Sequence, residues 1–159
     1  MRRLIPLLSA LLLERGLFAL WGNWELFRPL LVLLVVCYLG MTEKPFTAVC
    51  VASAAGLLLD FSAWGPLGGW LSALGLTALV VALLRESLYP KSSLVRFVTV
   101  LAAGFFAWGV LWALAALTGS HAPTGGWTML SRIGVTAFVA PPLFELFDLL
   151  TKPTYEGQV

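Results

Sequence analysis

Residues 95–118 read VRFVTVLAAGFFAWGVLWALAALT, and Arg96 is the only charged residue among them. A hydrocarbon layer about 30 Å thick is crossed by about 20 helical residues, because each residue advances an α-helix by 1.5 Å. A segment in that layer must satisfy its backbone hydrogen bonds internally, as a helix does. The stretch therefore predicts a transmembrane helix and sets the class of the whole fold.

Five more apolar segments share this character. The six are expected at about 4–22, 25–41, 45–61, 67–89, 95–118 and 127–151. The second and third are short and are joined by Thr42-Glu43-Lys44-Pro45, so either a tilted hairpin or a partly re-entrant pair is consistent with the sequence. We predict an all-α fold, a polytopic membrane helical bundle of about six transmembrane helices, in one integral membrane domain over residues 1–159.

Composition excludes a water-facing surface of ordinary size. The chain has 159 residues, 60% hydrophobic and 11% charged, whereas soluble domains carry roughly 25% charged residues. The connections between the apolar segments are short. We therefore expect no extramembrane catalytic domain and no nucleic-acid partner, and we expect membrane lipid to surround the helices.

Basic residues predict the orientation. With a cytoplasmic N-terminus, the outer connections carry only Arg28, and the inner ones carry Arg2, Arg3, Lys44, Arg85, Lys91, Arg96 and Lys152. This asymmetry is typical of the positive-inside rule. Tryptophans, which favour membrane interfaces, fall at predicted outer ends: Trp21, Trp24, Trp64, Trp70 and Trp127. Both signals predict cytoplasmic N- and C-termini.

Charged residues within the predicted spans form a candidate polar cluster: Glu14, Arg15, Arg28, Asp60 and Arg132. Each costs about 2.5–3.5 kcal/mol at mid-membrane, so a partner is expected. We predict that Asp60 pairs with Arg132, and Arg28 is a competing partner. The alternative is separate solvation of each charge at the interface.

Small residues point to a close helix contact. Gly65 and Pro66 predict a tight turn, Gly68 and Gly69 open the next helix, and Gly65 with Gly69 matches a small-xxx-small spacing. Gly56 ends a run of small residues in segment 45–61 that includes Ala48, Ala52, Ser53 and Ala55. This thin helix suits a central, closely packed position, and the five positions Gly56, Gly65, Pro66, Gly68 and Gly69 are candidate packing or partner contacts.

The last segment contains Pro141-Pro142, which predict a kink. Beyond them, Glu145 and Asp148 lie on one side of the helix. They are consistent either with the cytoplasmic end of a span or with an acidic face that docks a partner.

Catalytic constellations are hard to assemble from this sequence. The only histidine is His121, and Cys37 and Cys50 lie in apolar runs without the spacing of metal ligands. Asp60 and Asp148 are predicted near opposite membrane faces, too far apart for an aspartyl dyad. We expect no catalytic residue, no metal, no cofactor and no enzyme activity.

The stretch GLLLDFSAWGPLGGWLSALGLTALVVALLRESLY, residues 56–89, resembles the MreD family of bacterial rod shape-determining membrane proteins. That family shows Gly-Leu-x-x-Asp at a helix end, then Leu-Gly at the start of a long helix that ends in a basic and an aromatic residue. The matching positions here are Gly56, Leu57, Asp60, Leu67, Gly68, Arg85 and Tyr89. Arg28-Pro29 resembles the family's Arg-Pro-Asp, but Leu30 stands at the position of the aspartate.

The resemblance implies a non-enzymatic scaffold of the cell elongation machinery in the bacterial cytoplasmic (inner) membrane. Its implied partner is MreC, and through MreC the actin-like MreB, the RodA glycosyltransferase and a class B penicillin-binding protein. The six-helix layout is also similar to the S components of energy-coupling-factor transporters. The alternative function is therefore a vitamin-binding transport protein, with an outward cavity near Asp60, Trp64 and Trp127.

Overall fold

The computed structural model describes residues 30–62, 68–85, 92–119 and 126–151. They form five helices and, within these ranges, no strand: α1 (Leu31–Thr42), α2 (Pro45–Ser62), α3 (Gly69–Leu84), α4 (Ser93–Thr118) and α5 (Gly126–Thr151). The all-α prediction is confirmed for this part of the chain. The predicted segment 4–22 lies outside the described residues.

Two of the helices are long and apolar enough to cross a membrane: Ser93–Thr118 and Gly126–Leu149. The three others are apolar but shorter. The predicted boundaries of segments 45–61, 95–118 and 127–151 agree with α2, α4 and α5 to within two residues. In segment 67–89 the helix ends at Leu84, and Arg85 lies in a turn.

The centre of the bundle is α1, and not α2 as the small residues of α2 suggested. Every residue over 32–40 is buried, and α1 packs against each of the four other described helices. The physical reason is that a helix with large apolar side chains on all sides needs neighbours all round. The small residues of α2 cover one side only: Ala48 and Ala52 are buried, whereas Leu58 is 52% exposed.

The most extensive helix contact in the described bundle is between α2 and α3. A Cβ atom added to Gly56 would overlap the carbonyl of Trp70 and lie 2.6 Å from the Cα of Leu71. One added to Gly75 would lie 2.6 Å from Oγ of Ser53. Glycine at position 56 lets the two helix backbones approach each other directly, and glycine at position 75 leaves room for the side chain of Ser53.

A threonine hydroxyl joins the start of α1 to the middle of α5. Oγ1 of Thr136 accepts a hydrogen bond of 2.7 Å from the backbone N–H of Leu30. The same hydroxyl donates to the carbonyl of Arg132 at 2.6 Å. Because Thr136 is fully buried, satisfying both its donor and its acceptor avoids the penalty of an unpaired polar group.

The prolines of α5 do not interrupt it. Pro141 and Pro142 lie inside one helix that runs over Gly126–Thr151. Ala140, before them, is 0% exposed, and Phe144, after them, is 1% exposed. Core packing on both sides of the proline pair therefore anchors both halves of α5 in the bundle.

Candidate functional site

The carboxylate of Asp60 caps the beginning of the next helix. Oδ2 accepts hydrogen bonds from the backbone N–H of Gly68 at 3.0 Å and of Leu71 at 3.1 Å. Oδ1 accepts one from the N–H of Trp70 at 2.9 Å. Asp60 is 3% exposed, so the charge is buried and fully supplied with donors. We call Asp60 with these three amides the Asp60 cap.

Helix ends explain why an acid stands at this position. The first N–H groups of a helix have no partner within it, and the partial positive charge there attracts an anion. Gly68 is the N-cap residue of α3, and its φ of 97° lies in the left-handed region, where glycine is favoured. That conformation turns its own N–H, together with those of the first turn, toward Asp60.

The predicted pairing of Asp60 with Arg132 is wrong in the structure, because the acid takes the three amides instead. Arg132 is half-buried on α5 and has other interactions. The other members of the predicted polar cluster, Glu14, Arg15 and Arg28, lie outside the described residues. Gly65 and Pro66 also lie outside them.

Sequence reasoning missed the cap, although one signal pointed to it. A carboxylate at the C-terminal end of α2 is unfavourable for the dipole of α2 itself. It therefore needs an external positive charge, and the nearest in sequence is the start of α3. Gly69 at that start is close-packed as well: a Cβ there would lie 3.6 Å from Cδ2 of Leu111.

A second charged cluster joins α1, α4 and α5. Nη2 of Arg96 donates to Oδ2 of Asp148 at 2.9 Å, and the hydroxyl of Tyr38 donates to Oδ1 at 3.1 Å. The side chain of Arg96 is 13% exposed and that of Asp148 is 38% exposed. We call these three residues the Arg96–Asp148 cluster. The Arg96 side of the ion pair is therefore mostly enclosed by the bundle, whereas the Asp148 side is partly exposed.

Aromatic rings pack around this cluster. The ring of Tyr38 meets that of Phe144 edge-on at a centroid distance of 5.5 Å, and that of Phe147 at 5.3 Å. The guanidinium carbon of Arg96 lies 5.8 Å from the centroid of Phe144. A cation over a ring face adds electrostatic attraction to the packing. The rings hold the polar groups in one arrangement.

The predicted acidic face is thus divided. Asp148 is bound by Arg96 and Tyr38 within the bundle, whereas Glu145 is exposed. Of the residues expected to line an outward cavity, Asp60 accepts three backbone N–H groups and Trp127 is 79% exposed; the cavity itself stays a prediction. Trp64, the third residue expected there, lies outside the described ranges.

Metal chemistry has no support among the residues the structure describes: no group of three or more His, Cys, Asp or Glu side chains there could hold an ion. Both described cysteines are free; Cys37 is buried and Cys50 is exposed.

Comparison with known proteins finds no matching family model, no matching curated protein and no matching solved structure.

Proposed function

We propose that this chain is a non-enzymatic membrane scaffold of the MreD type, which binds the transmembrane helix of MreC. The observation that carries the proposal is that two acidic side chains, Asp60 and Asp148, are bound within the bundle. Asp60 is bound by α3 backbone amides, and Asp148 by Arg96 and Tyr38. These charges hold the helices to one another and are not available to a partner, so recognition of a partner falls to the outer surfaces of the helices.

The outer surface of the described helices supports a membrane setting. Large apolar side chains point away from the bundle on several helices, among them Phe46 at 82%, Leu117 at 83% and Phe138 at 79% exposure. Many exposed large apolar side chains are expected where a surface contacts lipid or another protein. The proposal includes six spans and cytoplasmic termini in the bacterial inner membrane.

The positions that carry the resemblance have connected physical roles. Gly56 admits the α3 backbone, Asp60 caps α3, and Gly68 provides the left-handed residue that the cap needs. At the other end of α3, Nη1 of Arg85 donates to the carbonyl of Glu43 at 2.6 Å. The motif thus closes the α2–α3 hairpin at both ends. We infer that the hairpin is the rigid frame on which partner-binding surfaces are built.

The proposed cellular role follows from the resemblance. Through MreC the scaffold would connect with MreB, RodA and a class B penicillin-binding protein, and so help to control peptidoglycan synthesis and rod shape. Each of these later links is indirect, because short connections leave the chain few groups outside the membrane.

Copurification from bacterial membranes tests the proposal. The full chain is coexpressed with MreC, or with an MreC chimera whose transmembrane helix is replaced by an unrelated apolar helix of equal length. We expect wild-type MreC to be retained in a mild detergent and the chimera to be lost. Equal retention of both proteins, or of neither, contradicts the proposal.

A further inference from the structure

One side of α5 carries four features at helical spacing. Gly134, Phe138, Pro142 and Glu145 follow one another at steps of four, four and three residues, which places them along one side of a helix. Phe138 is 79% exposed, and Pro142 and Glu145 are exposed as well. A Cβ added to Gly134 would meet nothing within 4 Å. We call these four residues the proline face.

The carbonyl of Phe138 lacks its usual donors. A helical carbonyl accepts from the N–H four residues later, or three residues later in a tighter turn. For Phe138 these residues are Pro142 and Pro141, and neither proline has an N–H. The double proline therefore leaves an acceptor beside the exposed ring of Phe138.

The depth of this carbonyl makes it costly in lipid. Phe138 is twelve residues after Gly126, the start of α5, which is about 18 Å along the axis and near the middle of a layer about 30 Å thick. Hydrocarbon supplies no donor, and an unsatisfied backbone group there costs several kcal/mol. A donor from a neighbouring molecule would remove that penalty.

Glu145 adds a charge to the same face. It lies seven residues beyond Phe138, about 10 Å further along α5. Within the described part of the chain, its exposed carboxylate has no hydrogen bond or ion pair, in contrast to that of Asp148. A molecule complementary to this face would place a cationic group opposite the carboxylate of Glu145.

We propose that the proline face docks one transmembrane helix of a partner protein. That helix carries a hydrogen-bond donor side chain at mid-depth and, about seven residues toward its cytoplasmic end, a lysine or arginine. The inference rests on the membrane setting of the proposed function and deepens it by assigning the binding face. A lipid is the weaker occupant, because an amine headgroup would reach Glu145 but acyl chains offer no donor to the Phe138 carbonyl.

A designed helix tests the donor and the cation separately. The probe is a single-span Leu/Ala peptide with a lysine near its cytoplasmic end and an asparagine seven residues deeper. Association with the full chain is measured by energy transfer in phosphatidylcholine vesicles. We expect replacement of the asparagine by leucine, or of the lysine by glutamine, to weaken association about threefold to tenfold each.

Variants of the chain locate the contact. Glu145→Lys should weaken binding of the lysine peptide and favour a matched peptide with glutamate in its place. Pro142→Ala restores an N–H for the Phe138 carbonyl, so it should abolish the advantage of asparagine over leucine. Phe138→Ala should weaken binding, whereas Phe46→Ala, at a similarly exposed site on α2, should not.

Peptides that bind alike whatever their polar residues overturn the assignment, as do equal effects of Phe138→Ala and Phe46→Ala. Failure of this inference is distinct from failure of the proposed function. If MreC is retained equally by wild type, Glu145→Lys and Pro142→Ala, the scaffold role stands and the proline face is wrong. If the peptides follow the expected pattern while MreC is not retained, the face stands and the MreC assignment fails.

Discussion

Asp60 and Asp148 are both acids near helix ends, but the structure satisfies them differently. Asp60 is 3% exposed and accepts three backbone N–H groups. The side chain of Asp148 is 38% exposed and is bound by two other side chains, those of Arg96 and Tyr38. The first acid is part of the hairpin between two consecutive helices. The second joins α5 both to its neighbour in sequence, α4, and to α1, where Tyr38 is 110 residues away.

The two sets of donors respond differently when the acid is removed. Backbone donors at a helix start cannot move without unwinding the helix, so loss of Asp60 leaves these partly buried N–H groups without an acceptor. Side-chain donors can rotate to water, and a partly exposed ion pair is weakened by solvent. The Asp60 cap is therefore a fixed part of the fold, whereas the Arg96–Asp148 cluster is an exchangeable contact.

The largest effect is expected from Asp60→Ala. It removes a buried acceptor of three hydrogen bonds, and a single unsatisfied buried group already costs about 1–3 kcal/mol. We expect the free energy of unfolding to fall by at least about 2 kcal/mol, measured by denaturant titration in detergent with circular dichroism. Asp60→Asn, which keeps one acceptor oxygen, should lie between the alanine variant and wild type.

A swap experiment separates the cap from the salt bridge that the sequence suggested. If Asp60 were paired with Arg132, the double exchange Asp60→Arg with Arg132→Asp would recover stability lost in the single variants. The Asp60 cap predicts no recovery, because an arginine offers no acceptor to the α3 amides. Recovery in the double variant argues against the cap.

Gly56→Ala tests the frame beneath the cap. The added methyl would overlap the α3 backbone at Trp70 and Leu71, and overpacking typically costs about 1–3 kcal/mol. Gly109→Ala is the matched control, because a Cβ there meets nothing within 4 Å and alanine favours a helix by about 1 kcal/mol. The two variants should change thermal stability in opposite directions; a change of the same sign disproves the tight contact.

Loss of the ion pair in the Arg96–Asp148 cluster should have a smaller effect. A partly exposed pair contributes about 0.2–1 kcal/mol, so Asp148→Asn and Arg96→Gln should each destabilise modestly. A double-mutant cycle measures their coupling energy, which we expect to shrink as salt rises. A coupling energy of zero at low salt contradicts the role assigned to the pair.

A modest loss of stability is also expected from Tyr38→Phe. It removes one hydroxyl from Asp148 and keeps the ring against Phe144 and Phe147. A typical net loss for one hydrogen bond is about 0.5–1.5 kcal/mol. Tyr38→Ala, which also removes the ring, is the comparison and should lose several times more. If the two variants lose the same stability, packing of the Tyr38 ring contributes nothing beyond the hydroxyl.

Sequence alone predicted the helices well, because long apolar runs leave few alternatives. Segments 45–61, 95–118 and 127–151 agree with the observed helices. Gly56, proposed from the sequence as a packing or partner contact, faces the α3 backbone. The burial of α1 was harder to foresee. A helix facing lipid and a helix facing other helices have the same apolar composition, so hydropathy could not show which was central.

The partners of the acids were the least predictable part of the candidate site. Charge pairing suggested Arg132 for Asp60, but the positive end of a helix is not visible as a charged residue in the sequence. Asp148 was placed correctly at the end of α5, yet Tyr38 is 110 residues away. Such contacts depend on which helices are neighbours, which no local pattern in this chain specifies.

The enclosed position of α1 also constrains how the protein is made. Twelve residues advance only about 18 Å, and every helix that surrounds α1 in the described bundle is synthesised after it. While the ribosome is still translating, α1 has no finished pocket to enter. Its place is completed only when α5 arrives, so a chain cut before residue 126 leaves the α5-facing side of α1 without its neighbour and the backbone N–H of Leu30 without the hydroxyl of Thr136.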